Sequence, residues 1–121
     1  MSSASACIVV EADLNRPDHQ QAVVALTDAY AQDPMGNCEA LPKTVCEELI
    51  PALRRHPTTV IFLAYAGSKA IGIATCFYGF STFAARPLLN IHDLAVLPEH
   101  RAQGVGKALL QAVEAKARAQ G

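Results

Sequence analysis

The chain has 121 residues, 51% of them apolar and 17% charged, with ten basic and eleven acidic side chains and a formal net charge of −1. That length suits one domain with its own core, the apolar share excludes an intrinsically disordered chain, and the lack of any Lys/Arg block disfavours binding to a nucleic-acid backbone. The longest apolar runs fall far short of the ~20 residues of a membrane helix, and Met1-Ser-Ser-Ala-Ser-Ala has neither region of a signal peptide.

Cys7 to Ala12 is a short β-branched run that predicts a first strand. Pro17 opens a helix at the tolerated first-turn position, with Val23, Leu26 and Tyr30 at helical spacing. Asp33-Pro-Met-Gly-Asn37 reads as the turn that ends it. A second helix is expected from Pro42 to His56, with Val45, Leu49 and Leu53 on one face, and bent or split at Pro51. Two extended runs, Thr59 to Ala66 and Lys69 to Phe80, flank Gly67-Ser68, a good hairpin connection. Leu88 to Leu97 reads as a further strand stopped by Pro98. Gly104 to Gln120 is the clearest helix: Val105, Leu109, Ala112, Val113 and Ala117 line one face, Glu114 sits four residues before Arg118, and Gly121 is a natural C-cap. The expectation is a single mixed α/β domain over residues 1–121, in the order strand, helix, helix, three strands, helix.

Four cysteines, Cys7, Cys38, Cys46 and Cys76, are scattered without a C-x-x-C pair. That spacing points away from a disulfide framework or a metal site and toward reduced thiols in the cytoplasm.

The chemistry concentrates in Leu94-Ala-Val-Leu-Pro-Glu-His-Arg101-Ala-Gln-Gly104-Val-Gly106-Lys-Ala-Leu-Leu. A strand runs through a loop into a helix whose start carries two glycines. First-turn amides of a helix have no internal partner and sit at its positive dipole end, and small residues there let an anion approach. Arg101 and Lys107 add positive charge on either side. The segment is not a P-loop, lacking the first glycine and the hydroxyl residue, nor a dinucleotide fingerprint, since Leu109 stands at the third glycine. Spacing alone leaves open a phosphate cradle or glycines that merely permit a tight turn.

Arg101-Ala-Gln-Gly104-Val-Gly106, with the strand Asn90-Ile-His-Asp-Leu-Ala-Val96 before it, resembles the R/Q-x-x-G-x-G/A signature of the GNAT superfamily of acyl-CoA-dependent N-acetyltransferases. The element order matches as well, and the resemblance covers essentially the whole chain. It implies that the main chain around Leu94, Ala95 and Val96 pairs with the pantetheine arm of acetyl-CoA as an added strand. Arg101 and the stretch Ala102, Gln103, Gly104, Val105, Gly106 and Lys107 would hold the pyrophosphate, with no metal. The reaction implied is transfer of acetyl to a primary amine of a small molecule, by direct attack in a ternary complex. The run Phe80 to Val96 most resembles small-amine and polyamine-type members.

His92 is the general-base candidate, an imidazole suited to proton removal near neutrality, or else a hydrogen-bonded residue beside the cleft; the polyamine-type relatives carry a glutamate there. Asp93 is expected on the opposite face of the strand by alternation, either holding a loop or helix terminus or orienting the amine. No enzyme nucleophile is needed, so Cys76 is read as core. His19 and His56 are read as surface helix residues, and Glu99 and His100 as solvated or capping. Phe80, Phe83, Met35 and Asn37 either line the acceptor pocket or, for the aromatics, pack in the core.

Relatives continue past the last helix with further strands and a helix, and that part of the fold is missing here. The expectation is therefore a truncated form, or one that completes its sheet as a homodimer through an open apolar edge at Leu89 to Val96. A catalytically silent acyl-CoA-binding or regulatory module is the alternative function, and an anion site in a fold unrelated to coenzyme A is a third.

Overall fold

A computed structural model describes residues 7–34 and 36–119. The chain forms β1 (Cys7–Glu11), α1 (Pro17–Gln32), α2 (Lys43–Arg55), β2 (Thr59–Ala66), β3 (Lys69–Ser81), β4 (Arg86–Val96) and α3 (Val105–Ala119), with one 3-10 turn at Pro98–His100. The mixed α/β order is the one the sequence predicts. Gln120 and Gly121, expected to finish the last helix, and Met35 lie outside the described residues.

The strands make one antiparallel sheet in the order β1-β2-β3-β4. β2 is apolar and buried from Val60 to Ala64, where both of its faces are covered. Val60, Phe62 and Ala64 pack with Val105, Leu109 and Val113 of α3, while Ile61 and Leu63 pack with Ala22, Val23 and Leu26 of α1 and Ile50 of α2. Side chains alternate across a strand, so one strand feeds both cores. Ala66 pairs directly with Lys69 across Gly67-Ser68, and Gly67 takes the left-handed φ of +61° that such a two-residue hairpin requires.

Three local expectations are corrected. The second helix runs unbroken through Pro51. Pro51 lies on the solvent face, as does Glu47, whose carbonyl loses its helical donor there, so water can satisfy that oxygen. Val45 is exposed, and the buried stripe of α2 centres on Ile50 instead. His19 is 6% exposed, not a surface residue, and its Nδ1 accepts the Asp13 amide at 2.8 Å. It is a buried imidazole with a partner, which ties the β1–α1 loop to the first turn of the helix.

Two irregularities interrupt the ladder. Ile71 has no partner on β2, because Ala64 pairs with Gly72 and Tyr65 with Ala70. His92 has no partner on β3, because Cys76 pairs with Ile91 and Thr75 with Asp93. Each is a β-bulge that bends the strand and re-aims its side chains. Among the described residues β4 is an edge strand, paired to β3 alone.

Two glycines separate packing from open space. A Cβ at Gly72 would lie 3.0 Å from Val105 Cγ1 and 3.1 Å from Leu109 Cδ1, whereas one at Gly106 would meet nothing within 4 Å. Gly72→Ala should therefore lose about 1–3 kcal/mol by forcing α3 off the sheet, while Gly106→Ala should hold or raise stability by up to about 1 kcal/mol. Urea unfolding of the two variants checks this, and equal midpoints would contradict it.

Candidate active site

The end of β4 and the start of α3 are joined by a loop whose backbone is held tightly. The Leu97 amide donates to the Ile71 carbonyl at 2.8 Å, and the His100 and Arg101 amides close the 3-10 turn on Leu97 and Pro98. Two residues then take left-handed conformations, Ala102 at φ +64° and Gly104 at φ +82°. Glycine adopts this region freely and alanine only at a cost, so the loop is fixed by its surroundings rather than by local preference. The first helical bond of α3 runs from the Ala108 amide to the Gly104 carbonyl at 3.0 Å. The amides of Val105, Gly106 and Lys107 precede it and have no acceptor within the helix. Nothing lies within 4 Å of where a Cβ on Gly106 would sit, so the helix start is open on that side, and unpaired amides at the positive end of a helix suit an anion. Lys107 is exposed beside them. The donor set and the missing Cβ fit the pyrophosphate of coenzyme A.

Arg101 is placed differently from the rest of that motif. Its Nε donates to the Val96 carbonyl at 3.0 Å, and one terminal nitrogen contacts Asp33 Oδ2 at 2.5 Å. Asp33 caps the C-terminal end of α1, and its carboxylate is nearly buried. The guanidinium thus clamps the β4–α3 loop onto α1. Leu94 and Val96 pack toward the α3 core and Ala95 toward the α1/α2 core, so all three set the position of the β4 edge through packing on both faces.

The bulge decides where His92 and Asp93 point. Simple alternation places them on opposite faces, but the extra residue turns both toward the α1/α2 side. His92 Nε2 lies 3.9 Å from Asp93 Oδ2, and the His92 ring meets Phe77 edge-on at 5.8 Å. The His92 side chain is 68% exposed, whereas Asp93 is half-buried opposite Thr75. Each opens onto its own cavity. Asp93 joins Thr27, Tyr30, Ala31, Gly36, Asn37 and Leu41 around about 360 Å³. His92 joins Leu49, Ala52, Leu53, His56 and Phe77 around about 440 Å³.

Asn37 lines the cavity beside Asp93. Phe80 and Phe83 line neither; Phe83 is fully exposed beyond the tip of β3. Phe77 and His56 are the residues that sequence reasoning missed. An aromatic in an apolar strand reads as core, and only the fold shows that Phe77 faces a cavity. Cys76 is wholly buried on the other face of β3, where burial pushes its thiol up to about 11, so it stays protonated and unreactive. Among the described residues no group of three or more His, Cys, Asp or Glu side chains could hold a metal ion.

The model of the Acetyltransferase (GNAT) family matches residues 23–121, a span that holds the bulged strand, the clamp and the glycine-bearing helix start. The chain belongs to the GNAT acetyltransferase family. Solved structures share its fold. An integron cassette protein from the mobile metagenome of Cole Harbour Salt Marsh superposes with a TM-score of 0.80 at 23% identity, over 98% of this chain and 73% of that one. An aminoglycoside acetyltransferase from an uncultured soil metagenomic sample, in complex with sisomicin, gives a TM-score of 0.76 at 22% identity, over 97% and 73%. The ribosomal-protein-alanine N-acetyltransferase of Brucella melitensis biovar Abortus 2308 gives 0.74 at 16%, over 95% and 73%. No curated protein sequence matches the chain significantly.

The Arg101–Asp33 clamp makes its own expectation within this GNAT domain. Arg101 is 47% exposed and Asp33 9%. A double-mutant cycle on Arg101→Ala and Asp33→Ala should give a coupling of about 1 kcal/mol, shrinking with added salt. Additive effects of the two substitutions would mean that the contact holds nothing.

Proposed function

We propose that the chain is an acetyl-CoA-dependent N-acetyltransferase acting on the primary amine of a small molecule. The observation that carries this reading is the arrangement around β4. Free first-turn amides of α3 lie at one end, an unpaired strand edge runs beside them, and a solvent-accessible imidazole and a carboxylate stand on the opposite face from α3.

The amides of Val105, Gly106 and Lys107, with Lys107 as counter-charge, would hold the pyrophosphate, and the loop from Ala102 to Gly104 would shape that cradle. The open edge at Leu94, Ala95 and Val96 would pair with the pantetheine arm, as an extended ligand adds to a sheet. A second copy pairing through the same edge, from Leu89 to Val96, would compete with the pantetheine arm for it. Bound acetyl-CoA supplies an activated thioester carbonyl. A backbone amide near Leu94 would polarise that carbonyl oxygen. Arg101 acts as a positioning residue, because it fixes the loop against α1.

On the other face, Asp93 would hold the incoming ammonium and His92 would take its proton, directly or through one water. The neutral nitrogen then forms the C–N bond as the C–S bond breaks. The second proton that nitrogen loses balances the one the departing sulfur takes up. Holding both partners in one cleft supplies much of the rate. The four cysteines are free thiols and no helix among the described residues is long and apolar enough to cross a membrane, both of which suit a cytoplasmic enzyme.

Two measurements test the reading. Gly106→Glu places a charged side chain in space that the fold leaves open, so it should weaken acetyl-CoA binding by about tenfold or more (~1.4 kcal/mol) with an unchanged melting curve. Unchanged affinity by calorimetry would remove the cradle assignment. His92→Ala should lower kcat/KM by about 10²-fold or more and flatten the rising limb of its pH profile. A retained limb would make His92 a cavity wall only, and acetyl-CoA binding without turnover of any amine would favour a silent acyl-CoA-binding module.

A further inference from the structure

The two cavities on the α1/α2 face differ in chemistry, and the difference describes a substrate. One is polar and has Asp93 as the single carboxylate among its described lining residues. The other has no carboxylate among its lining residues and is walled by Leu49, Ala52, Leu53 and three rings. Phe77 is the middle ring, edge-on to His56 at 5.1 Å and to His92 at 5.8 Å. His92, on the wall of one, and Asp93, on the wall of the other, come within 3.9 Å of each other at the bulge.

Resting on the acetyl-transfer reading above, we infer that the acceptor is a primary monoamine carrying a flat aromatic group close to its nitrogen. Phe77 and His56 are the residues that select it. A polyamine or aminoglycoside carries several ammonium groups and is bound well only where several carboxylates face it; the second chamber offers none and sets two imidazoles there instead. An aromatic ring gains from the same walls by leaving water and by meeting ring edges at 5–6 Å, the spacing of favourable aromatic pairs.

The separation fits as well. Asp93 is opposite Thr75, and Phe77 lies two residues further along β3 on the same face, an advance of roughly 7 Å. An ammonium held about 2.8 Å from the carboxylate leaves room for a short spacer of one or two methylenes before the ring reaches Phe77. A long flexible chain is not needed to span the site.

The test uses the full chain with acetyl-CoA and three probes, 2-phenylethylamine, ethylamine and spermidine, followed by thiol release. The expected result is a kcat/KM for 2-phenylethylamine about tenfold or more above the other two, the gain of moving a ring out of water. Phe77→Ala should cancel that advantage through KM, bringing the ratio of kcat/KM for 2-phenylethylamine over ethylamine down toward one. His56 is exposed, so His56→Ala keeps the fold and should reduce the preference in the same direction; melting curves report on both variants. Preference for spermidine, or an equal loss on all amines in a folded Phe77→Ala, would overturn the inference while leaving acetyl transfer in place. If no amine is turned over, the transfer reading fails. Saturation-transfer NMR then still decides whether 2-phenylethylamine binds wild-type protein and loses that binding in His56→Ala, as the inference requires, or does not bind, which overturns it.

Discussion

The site depends on one residue that has no partner in the β3–β4 ladder. Without the extra residue at His92, Asp93 would follow strict alternation and face away from His92. With it, the imidazole and the carboxylate share a face, next to the cavities that α1, α2 and their connection leave open. The regular pairing of β4 with β3 resumes at Asp93 and runs through Leu94 to Val96, so the bulge is confined to His92. A single extra residue thus puts His92 and Asp93 together on the α1/α2 face of the sheet, away from α3.

The rest of the fold serves to hold that strand still. β4 is bonded to β3 on one edge only, and an edge strand is the least restrained part of a sheet. Three features compensate. Leu94 and Val96 are gripped by the α3 core and Ala95 by the α1/α2 core. Gly72 lets α3 approach the sheet directly behind Val96, its ladder partner. Arg101 ties the loop that follows to the capped end of α1. The open volume over Gly106 is unlike these, since no packing neighbour requires it. Its use lies outside the fold.

Much of this was legible in the chain itself. The glycines at 104 and 106 and the apolar stripe of Val105, Leu109 and Val113 marked α3 and where it starts, because both are local signals carried by a few residues. The hairpin at Gly67-Ser68 was visible for the same reason. What escaped was set by distance along the chain or by register. Alternation has no sign for a bulge, so Asp93 was placed on the wrong face. The Arg101 clamp joins residues 68 positions apart. His19 looked like a surface residue because nothing in its helix announces that Asp13 folds back to donate to it. Phe77 and His56 meet only after α2 packs across the sheet.

In the proposed arrangement the anion would sit on the α3 terminus and the β4 edge, and the amine on the opposite face. A titration of ¹⁵N-labelled protein with coenzyme A, followed amide by amide, tests it most directly. The largest shifts are expected at Val105, Gly106 and Lys107, then along Leu94 to Val96, with the residues lining the two cavities little changed. Shifts confined to the α1/α2 face, or none at saturating coenzyme A, would contradict it.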